Sequence, residues 1–178
     1  MNSYNQKILI VDDIEDNRFT LERRLSRSGY TSISQADCGK KALEFVKKES
    51  FDLILLDLMM PDISGLDVLK ILKSDPKNRG IPVVMVTAAD EIDTTAECIS
   101  HGAEDYITKP VNATLLKARV SACLEKKRFR DSEEHYLSKV EADKKRTQTF
   151  LKQILPEKIA EELNSSGLVR PRKYEDIA

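Results

Sequence analysis

The chain has 178 residues, with 29 basic and 30 acidic side chains and a formal net charge of −1. That length fits one ordinary domain with some tens of residues to spare, and the balance of charge excludes a chain-wide basic footprint for nucleic acid. The charged fraction, 33%, exceeds the ~25% of an average globular chain, so a compact domain joined to a charge-dense segment is predicted.

Lys7–Val11 is a short apolar run of β type that ends in two carboxylates, Asp12 and Asp13. Phe19, Leu21 and Leu25 then recur at helical spacing, and Ser28-Gly29 supplies a stop. Thr31–Ala36 alternates and reads as a second strand. Gly39–Glu49 carries a helical stripe of Ala42, Leu43, Phe45 and Val46. Phe51–Leu56 is nearly continuous in apolar residues, as in a strand covered on both faces. Leu66, Leu69, Ile71 and Leu72 mark a helix running into Asp75-Pro76, and Ile81–Val86 is another buried strand. Thr94–Ile99 is a weaker helix closed by His101-Gly102. Asp105–Thr108 is a short strand before Lys109-Pro110, and Asn112 caps a last helix. Five strands alternating with five helices predict an α/β fold, a parallel sheet covered by helices on both faces. In such sheets ligands bind beyond the carboxyl ends of the strands.

Those ends carry the chemistry. The first strand delivers Asp12 and Asp13, the third Asp57, the fourth Thr87 and the fifth Lys109. Three converging carboxylates repel unless a cation joins them. Mg²⁺ is the natural choice, because it uses one or two carboxylates together with water and phosphate oxygens. A lysine and a hydroxyl nearby can hold an oxyanion, and a carboxylate can itself accept a phosphoryl group. The set predicts a metal-assisted aspartyl-phosphate site.

Residues 5–124 resemble the receiver domain of two-component response regulators. The resemblance rests on Ile8-Leu-Ile-Val-Asp-Asp13, Asp52-Leu-Ile-Leu-Leu-Asp-Leu-Met-Met-Pro-Asp62 with Ser64-Gly65, Pro82-Val-Val-Met-Val-Thr-Ala88 and Gly102-Ala-Glu-Asp-Tyr-Ile-Thr-Lys-Pro110. It implies a doubly wound five-stranded parallel sheet of order 2-1-3-4-5. It implies Asp57 as phosphoacceptor, and Mg²⁺ held by Asp12, Asp13, Asp57 and the backbone carbonyl of Met59. Lys109 would pair with the phosphoryl oxygens, Thr87 would hydrogen-bond them, and Tyr106 would be the aromatic switch that follows Thr87. A cis bond at Lys109-Pro110 and a histidine kinase or phosphotransfer protein as partner are implied as well. A haloacid-dehalogenase-type phosphatase needs a second Asp two residues after the nucleophile; Met59 stands there, so a regulatory module rather than an enzyme is expected.

Beyond the receiver, residues 1–124, no Gly or Pro interrupts Ala113–Leu155. Residues 125–155 are expected to continue the helix as a signalling element and weak parallel coiled coil. Leu137, Val140, Thr147, Leu151 and Ile154 would line its seam, with Lys144 at one core position and Lys126, Arg130 and Glu133 at earlier ones. A homodimer through this helix, with or without the receiver face, is the expected partner state. Residues 156–178 are read as a hinge, with a short helix over 157–163 and a turn at Asn164–Gly167. Leu155-Pro156, Ile159-Ala160, Leu163 and Arg170-Pro-Arg-Lys-Tyr-Glu-Asp176 are similar to the segment that precedes the catalytic domain of class III adenylate/guanylate cyclases. On that resemblance the 178 residues are the input part of a longer protein with a cyclase output. A serine/threonine phosphatase output, or a stand-alone receiver with a partner-binding helix, is the alternative.

Cys38, Cys98 and Cys123 are odd in number and lack paired ligand spacing, which argues against a disulfide framework or structural zinc. A cytoplasmic setting is expected. No apolar run approaches the ~20 residues of a membrane span. The basic runs Lys126–Arg128 and Lys144–Arg146 are interrupted by acids, so no direct nucleic-acid contact is expected.

Overall fold

A computed structural model describes residues 5–88 and 92–154. The expected hinge, with its short helix, its turn and its cyclase-like motif, lies outside the described residues. By internal packing the chain divides into two units, residues 1–130 and 131–178.

In the first unit, β1 (Lys7–Val11), β2 (Ser32–Ala36), β3 (Leu53–Asp57), β4 (Val83–Thr87) and β5 (Asp105–Thr108) form one sheet of order β2-β1-β3-β4-β5. Every neighbouring pair is parallel. The helices α1 (Glu15–Arg27), α2 (Gly39–Lys48), α3 (Gly65–Ser74), α4 (Ile92–Ser100) and α5 (Ala113–Ile154) connect and follow the strands. This is the doubly wound fold with an extended last helix that the sequence predicts.

The strand alternation splits the core cleanly. Ile8, Ile10, Leu53, Leu55, Val84, Val86 and Ile107 pack with Leu21 and Leu25 of α1 and with Leu116 and Val120 of α5. Leu9, Val11, Ile54, Leu56, Val83 and Met85 pack with residues of α2, α3 and α4. Each fully buried Leu, Ile or Val contributes about 1.5–3 kcal/mol relative to exposure. The central strands β3 and β4 are buried along their whole length, which forces Asp57 and Thr87 into a desolvated setting.

The expected cap at Asn112 and the expected stops at Gly29 and Gly102 are present, and Ser64 adds a cap at the start of α3. Asn112 Oδ1 accepts from the N–H groups of Thr114 (2.9 Å) and Leu115 (3.1 Å). Ser64 Oγ accepts from Asp67 N (3.1 Å) and donates back to its carboxylate (2.7 Å). Gly29 and Gly102 stand at φ +99° and +95°, the left-handed region that glycine enters at no steric cost. Other expectations change. Phe19, placed on the helical stripe, is 59% exposed, and α1 buries only Leu21 and Leu25. Phe51 and Ile81 are buried but precede their strands. Pro82 cannot donate to a ladder, although its carbonyl accepts from Ile54 N at 3.0 Å.

The first unit includes more of α5 than its apolar stripe suggests. Glu104, just before β5, is ion-paired with both Lys126 and Arg130, and Arg130 Nη2 also donates to the Gly80 carbonyl (3.2 Å). Partial burial favours the neutral form of Glu104, but the two cations outweigh it and lower its pKa. Glu104→Gln should therefore cost about 1 kcal/mol, a loss that shrinks as salt screens the pairs. Thermal unfolding at low and high ionic strength measures both effects.

In the second unit, residues 131–150 are helical and exposed throughout. Tyr136, Leu137, Val140 and Phe150 are among the large apolar side chains left in water. No helix among the described residues is long and apolar enough to cross a membrane.

Candidate functional site

The parallel sheet brings four of the predicted residues to one edge. Asp12 follows the last residue of β1, Asp57 ends β3, Thr87 ends β4 and Lys109 follows β5. Asp57 pairs with Val86 and Thr87 with Thr108 in register, so the ends of β3, β4 and β5 lie side by side. Lys109 N also donates to the Thr87 carbonyl at 2.7 Å. The Lys109–Pro110 peptide is cis.

Asp12, Asp13 and Asp57 each offer a carboxylate oxygen within 4.8 Å of the others. Asp12 and Asp57 are buried, whereas Asp13 is exposed. Lys109 Nζ bridges the two buried acids, 2.9 Å from Asp12 Oδ2 and 2.6 Å from Asp57 Oδ1. Burial pushes the Asp57 carboxyl up to about 6; the Lys109 hydrogen bond opposes this, and the charge of Asp12 adds to it. Burial alone would lower the Lys109 ammonium, but its hydrogen bonds to Asp57 and Asp12 raise it. The donor set is therefore hard, oxygen-based and short of positive charge, which suits a small divalent cation.

Thr87 is buried at 1% exposure, and Tyr106 is 41% exposed. Tyr106 pairs with Met85, two residues before Thr87. Paired residues share a face of the sheet, so Tyr106 stands on the Thr87 side. The Met59 side chain points largely into solvent, at 66% exposure.

The sequence assigns no role to several supporting residues. Asn17 Nδ2 reaches both Asp12 carboxylate oxygens (3.0 and 3.1 Å), and Ile14 N donates to Oδ1 (2.9 Å). Asp12 thus also braces the turn that leads into α1. Arg18 reaches the carbonyls of the acidic pair. Asp62 accepts from Gly39 N (3.1 Å) and Lys40 N (3.0 Å), capping α2 from the loop after β3. Desolvation opposes its ionisation, yet backbone N–H groups of Lys40, Ile63 and Gly39 hold its pKa at about 2. Gly65 N donates to the Leu58 carbonyl at 2.8 Å and closes the same loop. Asn and Arg in a first helical turn look like ordinary solvent-facing residues, so only the fold reveals where they reach. Beside the acids a cleft of about 480 Å³ opens between α1 and the turn after β5, lined by Asp12, Asn17, Thr20, Arg24, Lys109 and Val111 among others.

Residues 8–121 match the response regulator receiver domain family. The response regulator PleD of Caulobacter vibrioides is 43% identical over 114 residues, which is 64% of this chain and 25% of that protein. Chemotaxis protein CheY-3 of Vibrio cholerae is 35% identical over 122 residues, 68% of this chain and 94% of CheY-3. Among solved structures, the receiver domain of NtrX from Brucella abortus superposes with a TM-score of 0.63 at 30% identity, covering 67% of this chain and 98% of that one. The chain thus spans nearly all of a single-domain relative but only about a quarter of PleD's length.

Proposed function

The chain belongs to the receiver domain family of two-component response regulators, and from that membership we propose that Asp57 accepts a phosphoryl group from the phosphohistidine of a kinase or phosphotransfer protein. Receivers are regulatory modules that work with such partners. An Asp57 carboxylate oxygen attacks phosphorus, an O–P bond forms, the P–N bond breaks, and the electron pair leaves with the imidazole nitrogen. Asp12, Asp13, Asp57 and the Met59 carbonyl are the groups that would hold Mg²⁺. When bound, Mg²⁺ neutralises the clustered carboxylates and the incoming phosphoryl oxygens. Lys109 then exchanges part of its hold on Asp57 for a phosphoryl oxygen, and Thr87 donates its hydroxyl to another. The inward shift of Thr87 makes room for Tyr106, which changes the surface of α4, β5 and α5.

The observation that carries this reading is the Lys109 ammonium bridging Asp12 and Asp57 at the mouth of the acidic cluster. The direct test is incubation with a small acyl phosphate and Mg²⁺, followed by peptide mass mapping. A single phosphoryl group on the peptide containing Asp57 supports the reading; label elsewhere, or none, overturns it. Lys109→Arg should slow labelling by about ten-fold, because a planar fork cannot replace a compact ammonium between two carboxylates. Rapid-quench labelling measures this.

The output is read as a class III nucleotide cyclase, reached through α5 as a dimeric helix. The cyclase-like run from Leu155 to Asp176 supports the first part. The exposed Leu137 and Val140, at 55% and 46%, support the second. Exposed Phe129, Tyr136 and Phe150 recur at multiples of seven residues beside that seam and widen it. Sedimentation should show a dimer that Leu137→Lys with Val140→Lys dissociates. A monomer at high concentration, with and without a phosphoryl mimic, would remove the dimeric helix from the account. Cyclic nucleotide formation by the full-length gene product, with and without acyl phosphate, tests the output; phosphoserine hydrolysis in its place would point to a phosphatase.

A further inference from the structure

One guanidinium grips the backbone of the acidic turn between β1 and α1. Arg18 Nη1 donates to the carbonyl oxygen of Asp12 at 2.7 Å and to that of Asp13 at 3.1 Å. Its Nε donates to Gln35 Oε1 on β2 (3.3 Å), and Gln35 Nε2 donates onward to Glu22 Oε2, one turn further along α1 (2.8 Å). The guanidinium is therefore tied to the turn at one end and to the edge strand at the other. Two successive carbonyls aimed at one nitrogen fix the peptide planes on the C-terminal side of Asp12 and of Asp13. Those planes help set where the two side chains leave the backbone. The Asp12 carboxylate is separately held by Asn17 and Lys109. Exposed Asp13 finds no such side-chain anchor among the described residues, so its direction depends more on its backbone.

We infer that Arg18 is a positioning residue: by holding the Asp12 and Asp13 carbonyls it aims the acidic pair at Asp57 and so raises the affinity of the cluster for a divalent cation. The inference rests on the phosphoacceptor reading above. It also has a sign that separates it from a plain charge effect. A nearby positive charge repels a cation, so removing Arg18 for its charge alone would tighten Mg²⁺ binding. Removing it as a clamp weakens binding. Arg18→Lys keeps the charge and loses the planar fork that serves two carbonyls and Gln35 together.

The test is calorimetric titration of the whole protein with Mg²⁺, without phosphodonor, for wild type, Arg18→Met, Arg18→Lys and Gln35→Met. Loss of groups that orient metal ligands typically weakens binding by about 10–100-fold. Both Arg18 variants should lose about ten-fold, at the lower end of that range. Gln35→Met, which leaves the guanidinium but frees its Nε, should lose less. Thermal unfolding in chelator establishes that each variant is folded, and saturating Mg²⁺ should restore acyl-phosphate labelling of Asp57. Unchanged or tighter Mg²⁺ binding in folded Arg18→Met overturns the inference, as does wild-type affinity in Arg18→Lys. If Arg18→Met does not fold, Arg18→Lys and Gln35→Met still decide it. A wild-type protein that neither binds Mg²⁺ nor takes label overturns the phosphoacceptor reading and this inference with it.

Discussion

Asp57→Asn is expected to abolish phosphoryl labelling and, in metal-free buffer near neutral pH, to make the fold more stable. The first effect follows because an amide oxygen is not a nucleophile at this site; undiminished labelling would refute the assignment of Asp57. The second follows from burial. The folded protein holds the Asp57 proton up to about pH 6, whereas the ordinary carboxyl loses it near 3.8. Between those values the folded state binds a proton that the unfolded state has released, so stability falls as pH rises through the window. Above about pH 6 the wild type carries a desolvated charge beside Asp12, and the Asn variant does not. The gain is about 1 kcal/mol once the full shift is discounted for water at the open mouth of the site. It should vanish below about pH 4. Mg²⁺ should reverse the order, because only the wild type has all three carboxylates to offer. Thermal unfolding at pH 4, 5 and 7.5, with and without Mg²⁺, reads all of these outcomes.

Gly65→Ala should be the most damaging single methyl in the molecule's functional edge. A Cβ on Gly65 would lie 2.1 Å from the Asp57 carbonyl oxygen and 2.9 Å from Leu58 Cα. Both are backbone atoms of β3 and its exit, so no side chain can swing aside. Gly65 N also donates to the Leu58 carbonyl, which ties the start of α3 to the residue after Asp57. Relief requires α3 to lift off or the end of β3 to shift, at a cost of about 3 kcal/mol or more. Either movement displaces Asp57. The expected result is a markedly lower unfolding midpoint together with weak labelling that extra Mg²⁺ does not restore. A variant with wild-type stability and labelling would show that the loop after β3 has slack which the geometry denies.

Much of the fold was legible because hydrophobic periodicity is local. Lys7–Val11 and Phe51–Leu56 announce buried strands by composition alone. The alternation of strands and helices then fixes a parallel sheet, since parallel neighbours need crossovers. The errors lie where packing overrides pattern. Phe19 has helical spacing with Leu21 and Leu25 yet faces water, because α1 covers the sheet with a narrow stripe. Ile81 is as apolar as its neighbours, but it precedes Pro82 and lies outside the ladder.

The candidate site divides in the same way. Asp12, Asp13, Asp57, Thr87 and Lys109 could be chosen from sequence because each sits at or next to a strand end, and parallel strands put those ends at one edge. Asn17, Arg18 and Asp62 could not. Their bonds run from a helix turn to a loop carbonyl, or from one loop to another helix's N-terminus, and side chains of this kind follow no period. The role of Gly65 was equally hidden: the motif names the residue, but only the 2.1 Å approach to the Asp57 carbonyl says why nothing larger fits.

Local pattern along the chain was enough for the element order, the doubly wound sheet, the acidic cluster at its edge and the long uninterrupted last helix. Tertiary structure decided which carboxylate is stressed, which cation bridges it, and which side chains hold the acidic turn in place. The physical reason is range. Propensity and periodicity act over a few residues and are written in order along the chain. The raised pKa of Asp57 depends instead on desolvation by a strand buried on both faces and on charges brought from β1 and from beyond β5 (Lys109 is 52 residues away), and these meet only when the sheet has formed.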